Sequence, residues 1–284
     1  MLRDARAGFD PWADPDQHEL WSATSAAIPA ASPARLALVN ASQAVFEVTT
    51  LRDVVDASDG VLSLREAILE ANAKPGLDTI TFADDLRGGT IKLTADLPTI
   101  TDDLVIDGDP LDRGAGGIVI DGDYGFKGFL YGYRPFDIDS AVVRFEDLTI
   151  QNSFEAGISA SSADITLERV AVDRAVYSPV TSFGMRGDGS LAIVDSAISR
   201  ISSESAFAVR FDGDVTIERS IISGISGDYG AAVQVTGDVR LVDSTFTGNL
   251  GSRHESVLIV RFARTIQELT RRAWTASFGA DADL

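Results

Sequence analysis

Five segments of the chain align on one another without gaps: VRFEDLTI from Val143, ITLERVAV from Ile165, LAIVDSAI from Leu191, VTIERSII from Val215 and VRLVDSTF from Val239. Their starts are spaced by 22, 26, 24 and 24 residues. In each segment the first, third and eighth positions are apolar, as in Val215, Ile217 and Ile222 over Val239, Leu241 and Phe246. Positions one and three on the same face are strand periodicity. A unit this short cannot bury its apolar face alone, so it folds by stacking on its neighbours. No other feature of the sequence narrows the fold as far.

A second short strand precedes each of the later segments, in MRGDG, FAVRFDGD and AAVQVTGD. Met185, Val209 and Val233 then fall 24 apart, as do Arg186 and Arg210, and Asp188 and Asp212. Two or three strands per turn of roughly 24 residues, with residue types held in register from turn to turn, predict an all-β solenoid, the parallel β-helix. The earlier segments TITFADDL, TIKLTADL, DLVIDGDP and GIVIDGDY read as irregular first turns. About eight turns at ~4.8 Å each would run for roughly 40 Å.

Such a rod has an open end, where unpaired N–H and C=O groups and bare core invite edge-to-edge association. The stretch SLREAILEAN, Ser63 to Asn72, supplies the expected lid. Ser63 and Glu66 form a capping box. Leu64, Ala67, Ile68 and Ala71 recur at helical spacing, and Lys74, Pro75 and Gly76 end the helix. The chain therefore divides into a linker-like, disordered arm (1–44), a cap module (45–94), the β-helix turns (95–250) and a C-terminal segment (251–284). In that last segment Ile259, Phe262, Ala263, Ile266, Leu269 and Ala273 follow helical spacing. A second capping helix and a truncated end both remain open for it.

The run VFEVTTLRDVVDASDGVLSLREAILEAN, continuing into DTITFADDLRGGTIKL, resembles the N-terminal module of bacterial right-handed parallel β-helix proteins named for a C-S-L-R-E-A motif. The likeness covers Val45 to Leu93, and the repeat fits the family to Asn249. Leu62 stands at the position of the family's Cys, with Ser63, Leu64, Arg65, Glu66 and Ala67 matching the rest. The resemblance implies a right-handed coil and a secreted or surface-displayed, adhesin-like bacterial protein. The family offers no agreed catalytic residues to carry over.

Composition narrows the partners. With 45% hydrophobic residues the chain has a core to bury, and with no cysteine it has neither disulfides nor a thiolate metal site. A net charge of -19 argues against nucleic acid and anionic membrane surfaces. No apolar run reaches the ~18 residues of a membrane helix. The expected place is extracellular or on the cell surface, as a monomer, although MLRDARAGFDPWADPDQHELW carries charge where a cleavable signal has its apolar stretch.

Three constellations are candidates for chemistry. At position five of the repeat stand Asp147, Arg169, Asp195, Arg219 and Asp243, alternating in sign, which suits a structural stripe that fixes register, or a surface for a polymeric ligand. On the second strand and its following turn, Asp188, Asp212, Asp214 and Asp238 are candidate Ca²⁺ ligands, since stacked carboxylates repel unless they splay or share a cation. Arg186 or Arg210 beside such an ion would be the base of a polysaccharide lyase. Among the aromatics of YGFKGFLYGYRPF, Tyr131 and Tyr133 either line a sugar-binding groove or pack a lateral loop onto the rod. Hydrolase readings fare worse: Asp84 with Asp85 and Asp102 with Asp103 are adjacent and so face opposite ways in a strand, while His18 and His254 lie outside the repeat. Two functions stand: a non-catalytic module for adhesion or display, with a polysaccharide or cell-surface ligand, and a calcium-dependent polysaccharide lyase or carbohydrate binder.

Overall fold

A computed structural model describes residues 43–111, 117–124, 132–154, 156–175, 180–182, 189–202, 206–227, 231–251, 256–260 and 266–267. They form three parallel sheets. The first holds nine strands in chain order: Val45–Val48, Asp78–Phe82, Leu104–Asp107, Val142–Glu146, Asp164–Glu168, Ser190–Val194, Asp214–Glu218, Val239–Val242 and Ile266–Gln267. The second runs through Thr90–Lys92, Val119–Asp121, Thr149–Gln151, Ala171–Asp173, Ala197–Ser202, Ile221–Gly227 and Thr245–Thr247, with Leu250–Gly251 also paired to Ile221–Gly227. The third comprises Phe136–Asp139, Ile158–Ser161, Val180–Ser182, Phe207–Phe211, Ala231–Val235 and Ser256–Val260. From Leu104–Asp107 onward the chain visits first, second and third sheet and then returns one strand further on. This is a parallel β-solenoid.

The repeat register is realised residue for residue. Val143, Ile165, Leu191, Val215 and Val239 pair in succession along the first sheet. With Phe145, Leu167, Ile193 and Ile217, and with Ile150, Val172, Ile198 and Ile222 from the second sheet, they form stacked apolar columns within one continuous core. Phe136 from the third sheet meets Phe145 across the rod at 4.7 Å between ring centroids. Each turn closes its interior with one to three residues per sheet, and the removal of these side chains from water is what the short strands share.

Six strands in the third sheet make about six complete turns, fewer than the eight expected. Residues 78–107 supply strands to the first and second sheets, while the third side has only the bridge between Ile100 and Ile138. The helix covers that incomplete end. It spans Leu64–Asn72, with Ser63 as N-cap and both arms of the capping box formed. Its stripe of Leu64, Ala67, Ile68 and Ala71 is buried in the same core cluster as Ile80, Ile91 and Ile100. Leu62, just before the N-cap, packs half-buried against that cluster.

Two expectations are revised. Val180 and Thr181 pair with Val209 and Arg210, so the strand neighbours of Arg210 are Thr181 and Gln234. The 24-residue spacing from Met185 and Arg186 is not the strand register, because the extra residues of that turn fall after Val180–Ser182. At the C-terminus, Ile259 lies in a strand paired to Gln234, and Ile266 lies in one paired to Val239. Helical spacing gives way at these two positions to the exposed strand edge of the preceding turn, whose N–H and C=O groups demand partners. Phe262, Ala263, Leu269 and Ala273 lie outside the described residues. So does the arm, apart from its last two residues, and Ala44 is already buried in the rod with its N–H donating to Asp78 Oδ1 at 2.7 Å.

Candidate functional site

The three corners of the rod are built differently, and the difference locates the surface free to carry function. Between first and second sheets, five successive connections have two residues each: 147–148, 169–170, 195–196, 219–220 and 243–244. The first residue is always left-handed, with φ between 45° and 54° at Asp147, Arg169, Asp195, Arg219 and Asp243. Asp tolerates that backbone through its short polar side chain, whereas Arg does not have this advantage. The arginines are held instead by their neighbours one turn back. Arg169 grips Asp147 through Nε at 2.9 Å and Nη2 at 2.7 Å. Arg219 grips Asp195 through Nε and Nη2, both at 2.8 Å. The hydrogen bonds from Arg219, opposed by slight burial, hold the Asp195 carboxyl below the usual range. The charge stripe is therefore a register clamp.

The second residue of each connection points inward: Leu148, Val170, Ser196, Ser220 and Ser244, all buried. The last three form a hydroxyl ladder. Ser196 N–H donates to Ser220 Oγ at 3.1 Å, Ser220 N–H to Ser244 Oγ at 3.2 Å, and each hydroxyl donates back to a strand-end carbonyl, as Ser220 Oγ does to Glu218 O at 2.7 Å. Sequence reasoning passed over these serines although they recur 24 apart at position six of the repeat.

The corner from third back to first sheet explains the GDG, DGD and TGD triplets. Gly189, Gly213 and Gly237 stack so closely that a Cβ on Gly213 would sit 2.4 Å from Gly189 O, and one on Gly237 2.3 Å from Gly213 O. Ala141 and Ala163 hold the equivalent place in earlier turns. Of the candidate calcium ligands, Asp214 and Asp238 do stand in register, but Asp214 Oδ1 accepts the N–H of Asp238 at 2.8 Å. Asp212 precedes Gly213 at the same corner and is half-exposed; Asp188 lies outside the described residues. Among the described residues no group of three or more His, Asp or Glu side chains converges to hold a metal ion. Arg210 is exposed, with its guanidinium carbon 5.9 Å from the Phe207 ring centroid, while Arg186 lies outside the described residues. Tyr133 is half-buried against the core, and Tyr131 lies outside the described residues. Tyr124 stacks on Phe154 at 5.9 Å, fixing one turn of this lateral segment to the next.

The corner from second to third sheet has no constant length. Its connections are 122–135, 152–157, 174–179, 203–206, 228–230 and 252–255. Beside it, Asp173 carries a cluster: Arg200 Nε at 2.6 Å, Arg174 Nε at 3.0 Å and Ser199 Oγ at 2.9 Å. Burial alone would raise its carboxyl; the bonds from Arg200, Ser199 and Arg174 outweigh that and lower it.

The motif residues of the helix have structural work to do. Arg65 reaches Asp53 through Nε and Nη2, both at 2.8 Å, and the carbonyls of Asp96 and Ala95 at 2.6 and 2.8 Å. Asp53 also accepts the N–H of Thr94 at 2.7 Å. Burial pushes the Asp53 carboxyl up, and these bonds more than offset it, so it sits below the usual range. Glu66 is lowered by the Ser63 backbone bond, against burial, with a further bond from the Asp56 N–H at 2.6 Å. Asp53 and Thr94 are 12 and 29 residues from Arg65, so this latch has no local signal in the sequence.

No family model and no curated protein matches this chain. Among the described residues no helix is long and apolar enough to cross a membrane.

Proposed function

We propose that this chain is a non-catalytic β-helix module for adhesion or display, secreted or held at a bacterial cell surface, coiled right-handed and related to the proteins whose N-terminal motif it resembles. The observation that carries this reading is the contrast between corners: a two-residue charged corner kept through five successive turns on one side of the rod, and connections whose length changes from turn to turn on another. Recognition concentrates on loops positioned by a rigid scaffold. The clamp's arginines are committed to the neighbouring turn, which supports register over ligand binding as their role. The net charge of -19 disfavours nucleic acid and favours neutral or basic surfaces, such as polysaccharide or a cell-surface ligand. Replacing residues 176–179 or 203–205 by Gly-Ser of equal length, which keeps buried Ala175 and Ala206 and the Asp173–Arg174 pair, should abolish binding to glycan arrays or cells while leaving thermal unfolding nearly unchanged. Cleavage of pectin or alginate to unsaturated uronides by the purified protein would overturn the reading.

The second reading, a calcium-dependent polysaccharide lyase or carbohydrate binder, is favoured by exposed Arg210 beside Phe207 and half-exposed Asp212. Asp188, Asp212, Asp214 and Asp238 would hold the Ca²⁺, and Arg186 or Arg210 would take the sugar's α-proton. It requires that millimolar Ca²⁺ raise the melting temperature and that Asp212→Ala remove the rise.

A further inference from the structure

We propose that Glu146 takes up a proton in mildly acidic medium and that the outer face of the first sheet tightens when it does. Register places Asp107, Glu146 and Glu168 in one outward column on three adjacent strands. Side chains at the ~4.8 Å strand separation interact directly, and like charges there repel. Further along the same column Val194 and Val242 interrupt the acids, with Glu218 between them. Three consecutive acids therefore occur only in this stretch of the column from Asp107 to Val242.

The charged groups facing Glu146 are Asp107 on one neighbouring strand, Glu168 and Arg169 from the other side, and Arg144 and Asp147 from its own strand and turn. Arg144 Nε lies 2.5 Å from Glu146 Oε1 but also binds Glu168. Arg169 lies 3.5 Å from Glu146 Oε2, while its two strong bonds go to Asp147 and another contact goes to Glu168. Two guanidiniums thus serve three carboxylates, Glu146, Asp147 and Glu168, with the charge of Asp107 on the adjacent strand acting on Glu146 as well. The Glu146 side chain is only 18% exposed, so water screens it poorly. Burial pushes its carboxyl up, Asp107 and Glu168 push the same way, and Arg144 and Arg169 offset only part of this.

The sign follows from linkage. A carboxyl raised by folding binds its proton more tightly in the folded chain, so stability rises as pH falls through the folded value towards the ordinary glutamate value. The lid carboxylates Asp53 and Glu66 are shifted the opposite way and are already ionised throughout that window. Mild acid therefore strengthens the middle of the first sheet without loosening the cap.

The test is a ¹³C carboxyl titration of the full chain, with Glu146→Gln assigning the resonance, alongside thermal unfolding of both proteins from about pH 7.5 to about pH 4.5. Glu146 should titrate above the ordinary glutamate value, and the melting temperature of the wild type should rise relative to the variant as pH falls. A midpoint at or below the ordinary value, or a pH-independent difference between the two proteins, would overturn the proposal. If Glu146→Gln does not fold, Glu168→Gln serves: it should lower the Glu146 midpoint, and an unchanged midpoint would sink the idea.

Discussion

Two corners of the same rod obey opposite rules. Between first and second sheets the connection has two residues in five successive turns; between second and third it ranges from the three residues 228–230 to the long segment 122–135. At the first corner a left-handed residue, a buried successor and a cross-turn clamp each depend on the copy above and below. The two earlier turns use longer connections at this corner, 83–89 and 108–118, but from Val142 onward a change in length would displace the left-handed residue from its cross-turn partner and the buried successor from the interior. At the second corner the strand ends are set by the core columns and by the first corner, so the connection between them is free to vary. Stability and variability are thus assigned to different edges, which is what a scaffold for displayed loops requires.

This contrast can be broken by inserting the same short Gly-Ser peptide at each corner. Placed within 228–230 it should lower stability by less than about 1 kcal/mol, since loop closure grows only slowly with length. Placed between Arg219 and Ser220 it should abolish cooperative folding, as seen by circular dichroism and thermal unfolding. Equal tolerance at both sites would show that the two-residue turn is not a constraint.

Within the rigid corner, removing the buried hydroxyl of Ser220 should matter more than removing the exposed guanidinium of Arg219. Ser220→Ala leaves the buried Ser196 N–H without its acceptor, while the Glu218 carbonyl keeps the Asp195 N–H, at a cost of about 1–3 kcal/mol in urea unfolding. At the lid, Asp53→Asn should cost about 1–3 kcal/mol at neutral pH by weakening the grip on Arg65 and Thr94. Because the Asp53 carboxyl is lowered by folding, that contribution is full above the ordinary carboxylate range and lost as pH falls through the depressed folded value. The melting temperatures of wild type and Asp53→Asn should therefore converge only in strong acid. Smallest of all should be the effect of Arg219→Ala on the urea midpoint, and it should shrink further in high salt, as exposed ion pairs do.

Much of the rod was legible because the solenoid makes long-range contacts periodic. Val215 finds Leu191 and Val239 by counting 24 residues, and the capping box of Ser63 and Glu66 is three residues long. The third sheet was less legible. Its register depends on how many residues each turn spends before and after the strand, so Arg210 was matched to Arg186 where the structure pairs it with Thr181. The glycine column was visible as GDG, DGD and TGD, but its meaning was not: an aspartate beside a glycine reads alike whether it binds a cation or the glycine lets two backbones approach.

The sequence by itself determined the solenoid, the register of the first two sheets, the sign alternation at the rigid corner and the lid helix, because each rests on periodicity or on contacts within one helical turn. Only the tertiary structure decided that Arg65 is latched to Asp53 and Thr94, that three serines form a buried ladder, and that Glu146 stands between two other acids. Those outcomes depend on which outward positions of neighbouring turns come within a strand's width of one another, and on how much water the surrounding side chains leave them.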